Sequence, residues 1–266
     1  MKFLVSIKQV VDTSHIEVDP ATGRIRRDGV KSLLNPCDRH ALEAALSLRD
    51  EAGGTVTVIT MGPPQAKEVL LEAVSMGADE VYLVTDRAFG GADTLATSYT
   101  LAKTVEKLGH FDMIFLGEAS SDSTSAQVGP QLASMLGLPS VSAAVSLSLE
   151  EGKALVGRDM TASREIMEAA LPLVVTVSPS MNKPRYPSIT GIQKTWDAPI
   201  HELSAEDLGA DKDRIGLPGS PTQVVRLRPV AIAKKENLRI EGKSADEAAR
   251  LLTEALERIR VVEGVR

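Results

Sequence analysis

Short β-branched runs alternate with longer segments of helical period along the first half of the chain. This alternation restricts the fold more than any other feature. Phe3 to Ile7 reads as a strand. Asn35-Pro36-Cys37-Asp38 then marks a helix start, with Asn35 as N-cap, Pro36 in the first turn and Asp38 near the positive end. Behind it Ala41, Leu42, Ala45 and Leu46 fall on one face. Gly53-Gly54 stops that helix, and Thr55 to Met61 forms the next strand. Gly62-Pro63-Pro64 restarts a helix through Val69, Leu70, Ala73 and Val74 that ends at Gly77. Glu80 to Thr85 is a third strand, a helix runs from Asp93 to Leu108, and Met113 to Gly117 is a fourth strand. Repeated strand–helix units of this length predict an α/β fold, a doubly wound, mostly parallel sheet.

Beyond residue 140 the rhythm changes. Val141 to Arg158 holds two strand-like runs around Glu150-Glu151-Gly152-Lys153, which predicts an antiparallel hairpin. Leu173 to Ser178 returns as an apolar strand, and Ser178 to Pro199 reads as loop. Gly216 to Pro221 has the composition of a linker. Ser244-Ala245-Asp246-Glu247 has capping-box spacing and opens a helix with Ala248, Leu252, Ala255, Leu256 and Ile259 along one stripe. The expected organisation is an α/β domain over residues 1–215 followed by a linker and C-terminal arm over residues 216–266. A lone amphipathic helix cannot bury its stripe by itself, so the arm packs either on its own core or on another subunit.

Composition narrows the function classes. One cysteine, Cys37, excludes an internal disulfide, a Cys-based zinc site and a Cys-ligated iron–sulfur cluster within the chain. Four Phe, three Tyr and one Trp leave little for stacking platforms that hold single-stranded nucleic acid. A net charge of −6 supplies no basic field for a polyanion. Apolar runs fall short of the roughly 20 residues that span a bilayer, and Met1 to Lys8 does not read as a signal peptide. The expectation is a cytoplasmic protein without membrane insertion or nucleic-acid binding.

In a doubly wound sheet, ligands bind beyond the carboxyl ends of the strands. Three segments fall there: Lys8-Gln9, Met61-Gly62-Pro63 and Gly117 to Gly129. The last combines glycines with Ser120, Ser121, Ser123, Thr124 and Ser125 just before a helix, a text that lets backbone N–H groups approach an anion. A plain polar strand-to-helix loop explains the same text. Neither a Walker loop nor G-x-G-x-x-G occurs. His15, His40, His110 and His201 lack metal-ligand spacing, and no G-x-S-x-G elbow supports a nucleophile. Cys37 at a helix start could have a lowered pKa, though a small residue in a tight turn accounts for it. Arg24 to Arg27 reads as a solvated hairpin edge. Residue by residue, then, the sequence reaches a plausible nucleotide-phosphate site and no acid–base or nucleophilic constellation.

Ordered landmarks go further. Val5 to Asp12, Asp28 to Lys31, Asn35-Pro36, Ala41 to Ala45, Met61-Gly62-Pro63, Ala73 to Asp79, Gly117 to Gly129, Leu171 to Thr176 and Asn182 to Tyr186 follow one another at the spacing of a known family. Over residues 1–200 the chain resembles the β-subunit of electron-transfer flavoproteins, whose fold is an adenine-nucleotide α-hydrolase type of sheet. The resemblance implies a heterodimer with an α-subunit that binds FAD, and AMP or a second FAD in the β-subunit. It also implies a nucleotide site at Ser6, at Asn35, Pro36, Cys37 and Asp38, at Met61, and along Gly117, Glu118, Ala119, Ser120, Ser121, Asp122, Ser123, Thr124, Ser125, Ala126, Gln127 and Val128. Asp122 matches the first acid of the family loop, whereas Thr124 stands where many relatives carry a second Asp.

Ala126-Gln127-Val128 is similar to the flavin-bifurcating group, which favours FAD over AMP in the β site. Few aromatic side chains exist to stack on it. For that group the resemblance implies NADH as hydride source, an acyl-CoA dehydrogenase or quinone reductase as one acceptor, and external ferredoxin or flavodoxin as the other. Asn182 to Ile192 is similar to the family's partner-recognition loop, with Ile189 as apolar anchor and Lys183 and Arg185 setting register. The arm from residue 216 then grips the α-subunit. A competing class is a free-standing nucleotide-binding regulator of the universal-stress type.

Overall fold

In the computed structural model of the chain, residues 1–12, 32–160, 163–222 and 238–258 are described. His15, the Arg24–Arg27 run, the 28–31 landmark and Ile259 lie outside them. The elements are β1 (Lys2–Ser6), β2 (Gln9–Val11), β3 (Ser32–Leu34), α1 (Pro36–Ala52), β4 (Thr55–Met61), α2 (Lys67–Met76), β5 (Glu80–Val84), α3 (Thr94–Leu108), β6 (Met113–Gly117), α4 (Val128–Leu136), β7 (Ser140–Glu150), β8 (Lys153–Asp159), β9 (Arg164–Ala170), β10 (Leu173–Val177), α5 (Ile189–Lys194), β11 (Ile200–Leu203) and α6 (Ala245–Arg258).

Nine strands form one sheet in the order β11-β5-β4-β1-β6-β10-β7-β8-β9. Every pair from β11 to β7 is parallel, and β8 and β9 extend the sheet antiparallel. The central strands are buried on both faces, so they carry nearly continuous apolar runs. Their period-2 alternation sorts the helices. Phe3, Val5, Met113, Phe115, Leu173 and Val175 pack with Leu42 and Leu46 of α1 and Leu70 of α2. Leu4, Ile114, Leu116 and Val174 point the other way, onto Leu101 and Val105 of α3 and Leu132 of α4. Helices therefore cover both faces, and the doubly wound expectation holds.

Three departures have local causes. Arg164–Ala170 forms an edge strand with mostly exposed residues, so no apolar alternation marks it in the sequence. The 178–199 stretch is not all loop: Ser188 caps α5 by accepting the Gly191 N–H at 2.9 Å. Gly191 also lets α5 approach α2, since a Cβ there would sit 2.1 Å from the Ser75 carbonyl oxygen. The Gly216–Pro221 stretch, linker-like in composition, docks instead. Leu217 N–H donates to Gly90 O (3.0 Å), the Asp93 N–H donates to the buried Ser220 hydroxyl (2.8 Å), and a Cβ on Gly216 would meet Ala88 O at 2.0 Å. Its glycines thus serve close backbone contact.

Two compact units emerge, Met1–Leu227 and Arg228–Arg266. Within the second, the capping-box spacing forms as a cap: Ser244 Oγ accepts the Glu247 N–H (3.2 Å), while the Glu247 carboxylate accepts the Lys243 N–H (2.8 Å). Among the described residues, no helix is long and apolar enough to cross a membrane.

Candidate functional site

Strands β4, β1 and β6 lie side by side and end at Met61, Ser6 and Gly117, and a cavity of about 760 Å³ opens beyond those ends. That volume falls within the roughly 300–1,000 Å³ of small-molecule and cofactor sites. Its lining takes in Ser6, Asn35, Asp38, Met61, Gly117, Glu118, Ala119, Ser120, Ser123, Ser125, Ala126, Gln127 and Val128. Pro36, Cys37, Ser121, Asp122 and Thr124 are not part of this lining, and of them Pro36, Ser121, Asp122 and Thr124 are exposed.

The start of α1 braces the cleft. Asn35 occupies the N-cap position, yet its side chain makes no capping bond. It instead donates from Nδ2 to Ala119 O (2.9 Å) and accepts the Ser121 N–H at Oδ1 (3.1 Å). Asp38 accepts the Lys8 N–H (2.7 Å) with one oxygen and the Gly117 N–H (3.0 Å) with the other. One carboxylate thereby ties the chain leaving β1 to the end of β6. Burial pushes the Asp38 carboxyl up to about 7, against the opposing pull of bonds from Asn35, Lys8 and Gly117. Glycine is required at 117, where a Cβ would lie 2.4 Å from Asp38 Oδ1. Burial also pushes the Cys37 thiol up, opposite to the lowering that a helix start can give.

Across this brace runs the 117–129 loop. Its turn closes with the Thr124 N–H donating to Ser120 O (2.8 Å), and Thr124 and Ala126 adopt positive φ of 51° and 54°. Lys8 Nζ pairs with Asp122 Oδ1 at 2.6 Å and lies 3.5 Å from the Ser120 hydroxyl. Burial would raise the Asp122 carboxyl, but its bonds from Lys8 and Ser120 hold it below the ordinary range. At the end of the loop α4 begins without a side-chain cap. Val128 and Gly129 in its first turn line the cavity, and amides at these positions have no intrahelical partner. Gly129 permits α4 to start against β10, since a Cβ there would sit 2.2 Å from Thr176 Cγ2.

A second wall was not foreseen. Phe89, Gly91, Ala92, Asp93, Thr94, Thr97 and Leu101, with Thr222, face the cavity from the segment after β5. The available signal was positional, since this too is a loop between a parallel strand and a helix. Asp93 caps α3 by accepting the Leu95 and Ala96 N–H groups (2.9 and 3.1 Å), and its other oxygen accepts from Thr222 N–H and Oγ1 (3.1 and 2.8 Å). Thr94 Oγ1 donates to Gln127 Oε1 (3.0 Å), joining the two walls.

The three residues expected to face a partner divide. Ile189 is 80% exposed, and Tyr186, Ile192 and Trp196 are exposed beside it in sequence at 86%, 48% and 78%. Lys183 is exposed. Arg185 is engaged within the chain, paired with Glu43 and Asp50 at 2.9 Å each. Among the described histidines, His40 bonds Asn182, and His201 stacks on Tyr82 with ring centroids 4.9 Å apart.

Comparison with known proteins agrees with this architecture. The family model described as the electron transfer flavoprotein domain matches residues 22–208. The caffeyl-CoA reductase-Etf complex subunit CarD of Acetobacterium woodii is 44% identical over 264 residues, covering 98% of this chain and 100% of that protein. The electron transfer flavoprotein subunit beta of Thermoanaerobacterium thermosaccharolyticum is 47% identical over 226 residues, covering 85% and 86%. Protein FixA of Azorhizobium caulinodans is 40% identical over 250 residues, covering 90% and 88%. A match of this extent, on a nine-stranded doubly wound sheet with its cleft at the strand ends, places the chain in the electron-transfer flavoprotein family as a β-subunit.

Proposed function

We propose that the chain works as the β-subunit of an αβ electron-transfer flavoprotein and that its cleft holds FAD, with AMP as the alternative occupant. The observation that carries this reading is the two-walled cavity of about 760 Å³ at the ends of β1, β4 and β6. Its donor set suits a nucleotide: Lys8, the Ser120, Ser123 and Ser125 hydroxyls, and the uncapped amides of Val128 and Gly129 would hold phosphate oxygens. Ser6, Met61 and the backbone braced by Asn35 and Asp38 would border the adenosine end. The Phe89–Leu101 wall adds a second side to the cavity, and a total of about 760 Å³, in the upper part of the usual cofactor-site range, supports the dinucleotide. When bound, FAD supplies one- and two-electron redox chemistry, while the protein supplies binding, orientation and electrostatics.

This reading includes NADH as hydride donor, ferredoxin or flavodoxin as low-potential acceptor, and an acyl-CoA dehydrogenase or quinone reductase as the other acceptor, in the cytoplasm. The full-length alignment with a protein named as a subunit of a caffeyl-CoA reductase-Etf complex supports this bifurcating arrangement. Ile189 and its exposed neighbours would meet the dehydrogenase, and the second unit would grip the α-subunit. Truncation before Gly242 should then shift the co-expressed heterodimer toward free subunits on size-exclusion chromatography.

The deciding experiment denatures the purified heterodimer and quantifies released flavin and AMP. Two FAD per heterodimer is the expected result. One FAD with one AMP would replace the bifurcating reading by that of a simple carrier with structural AMP.

A further inference from the structure

Two sequence motifs contribute nothing to the cleft, ALEAA at Ala41–Ala45 and NKPRY at Asn182–Tyr186, yet the tertiary structure joins them. Glu43 lies in the middle of α1 and is buried. One of its carboxylate oxygens accepts both the Arg185 backbone N–H and Nε at 2.9 Å. The other accepts an Arg185 terminal nitrogen at 3.0 Å and the Ser47 hydroxyl at 2.9 Å. The second terminal nitrogen of Arg185 reaches Asp50 at 2.9 Å. One turn earlier, Asn182 Nδ2 donates to His40 O at 2.9 Å, and His40 Nδ1 lies 3.0 Å from Asn182 Oδ1. Residues 40, 43, 47 and 50 share one face of α1, so a single helix face grips the segment. Burial would raise the Glu43 carboxyl, but bonds from Arg185 and Ser47 hold it below the usual carboxylate range.

We propose that Glu43 and Arg185 are positioning residues for partner recognition: their fork fixes the chain so that Tyr186, Ile189 and Trp196 stand out as a preformed apolar surface. Arg185 then acts from inside the subunit, its guanidinium engaged by Glu43 and Asp50. A guanidinium and a backbone amide converging on one buried carboxylate fix direction as well as distance. Further along, Gly191 rests on α2, giving the surface a second support. A surface held in this way loses little conformational freedom when a partner docks, whereas a loose loop would lose much. The proposal rests on the reading of residues 182–192 as partner-facing.

The test uses the co-purified heterodimer with an acyl-CoA dehydrogenase as acceptor and compares Glu43→Gln, Arg185→Lys, the double variant and Ile189→Ala. Flavin content, kcat, KM for the dehydrogenase and deuterium uptake over residues 183–197 are measured. Each clamp variant should raise KM on the order of tenfold. The double variant should add little to either alone. Deuterium uptake should rise over the segment while flavin content stays constant. Arg185→Lys keeps the charge at a partly exposed position, so the test survives if Glu43→Gln does not fold. A raised KM for Ile189→Ala with wild-type KM for both clamp variants would overturn the clamp alone. Wild-type KM for all of them would overturn the partner reading and the clamp with it.

Discussion

The cleft and the α5 surface are built from opposite materials on one helix. At its start, α1 sends Asn35 and Asp38 into a recessed site lined by glycines, hydroxyls and uncapped amides. In its middle, it sends His40 and Glu43 to a segment that raises apolar side chains into solvent. Recessed polar groups at fixed positions suit a small anion-bearing ligand that can be surrounded. A protruding apolar group on a rigid base suits a macromolecule that supplies its own pocket. Neither region owes its geometry to its own residues alone, because in both the conformation is set by side chains from α1.

The largest effect should come from Gly117→Ala. The added Cβ falls 2.4 Å from Asp38 Oδ1 and 2.7 Å from the Cys37 backbone, so the brace must shift. Overpacking of this kind costs about 3 kcal/mol. Chemical denaturation should record that loss, and the purified heterodimer should lose β-site ligand while transfer at the α5 surface is disturbed only through that loss. Full ligand content in Gly117→Ala would break the distinction between a tightly built cleft and a tolerant surface.

Asp38→Asn comes next, at about 2 kcal/mol, because one amide hydrogen would oppose a backbone N–H. The sign of its pH dependence follows from the raised carboxyl. Its ordinary value is 3.8 and its folded value about 7, so between these the native chain binds a proton that the unfolded chain has lost. The stability contributed by that proton is complete below 3.8 and lost as pH rises through about 7. The gap between wild type and Asp38→Asn should therefore narrow from acid toward neutral pH in urea titrations. A constant gap would show that Asp38 does not titrate in that window.

Ile189→Ala should slow electron transfer to the acceptor dehydrogenase about tenfold and release no nucleotide. Stopped-flow kinetics and released-ligand analysis test the two halves separately, and loss of nucleotide would tie together regions that the geometry separates. The smallest expected effect is that of Asp93→Ala, about 1 kcal/mol from the lost helix cap. It should also free Thr222 from the cleft wall. Calorimetry with limited proteolysis near residue 220 would reveal both, and unchanged cleavage there would show that the docking rests on Ser220 and Gly216 alone.

Much of the sheet was legible because the central strands are buried on both faces and bounded by glycine. Thr55–Met61 and Met113–Gly117 carry that signature in seven and five residues. β9 and β11 were not legible, since edge strands bury little and therefore need no apolar pattern. On the cleft, the 117–129 loop was visible through its glycines and hydroxyls, and most of its predicted members do face the cavity. The opposite wall was missed because Phe89–Leu101 carries no phosphate-loop text and becomes a wall only when β5 pairs beside β4.

By itself, the sequence determined the period-2 and period-3.6 patterns, hence the strands, the helices and the doubly wound sheet, because burial acts on every residue of a core element. It also determined the family, through landmarks spread along the chain. Only the tertiary structure decided what Asn35, Asp38 and Arg185 do. Local spacing makes Asn35 a cap and Arg185 a surface charge, but each finds its partners far along the chain, across 84 residues for Asn35 with Ala119 and 142 for Arg185 with Glu43. Hydrogen bonds between polar groups depend on distance and direction, and those are fixed only after the apolar core has brought the segments together.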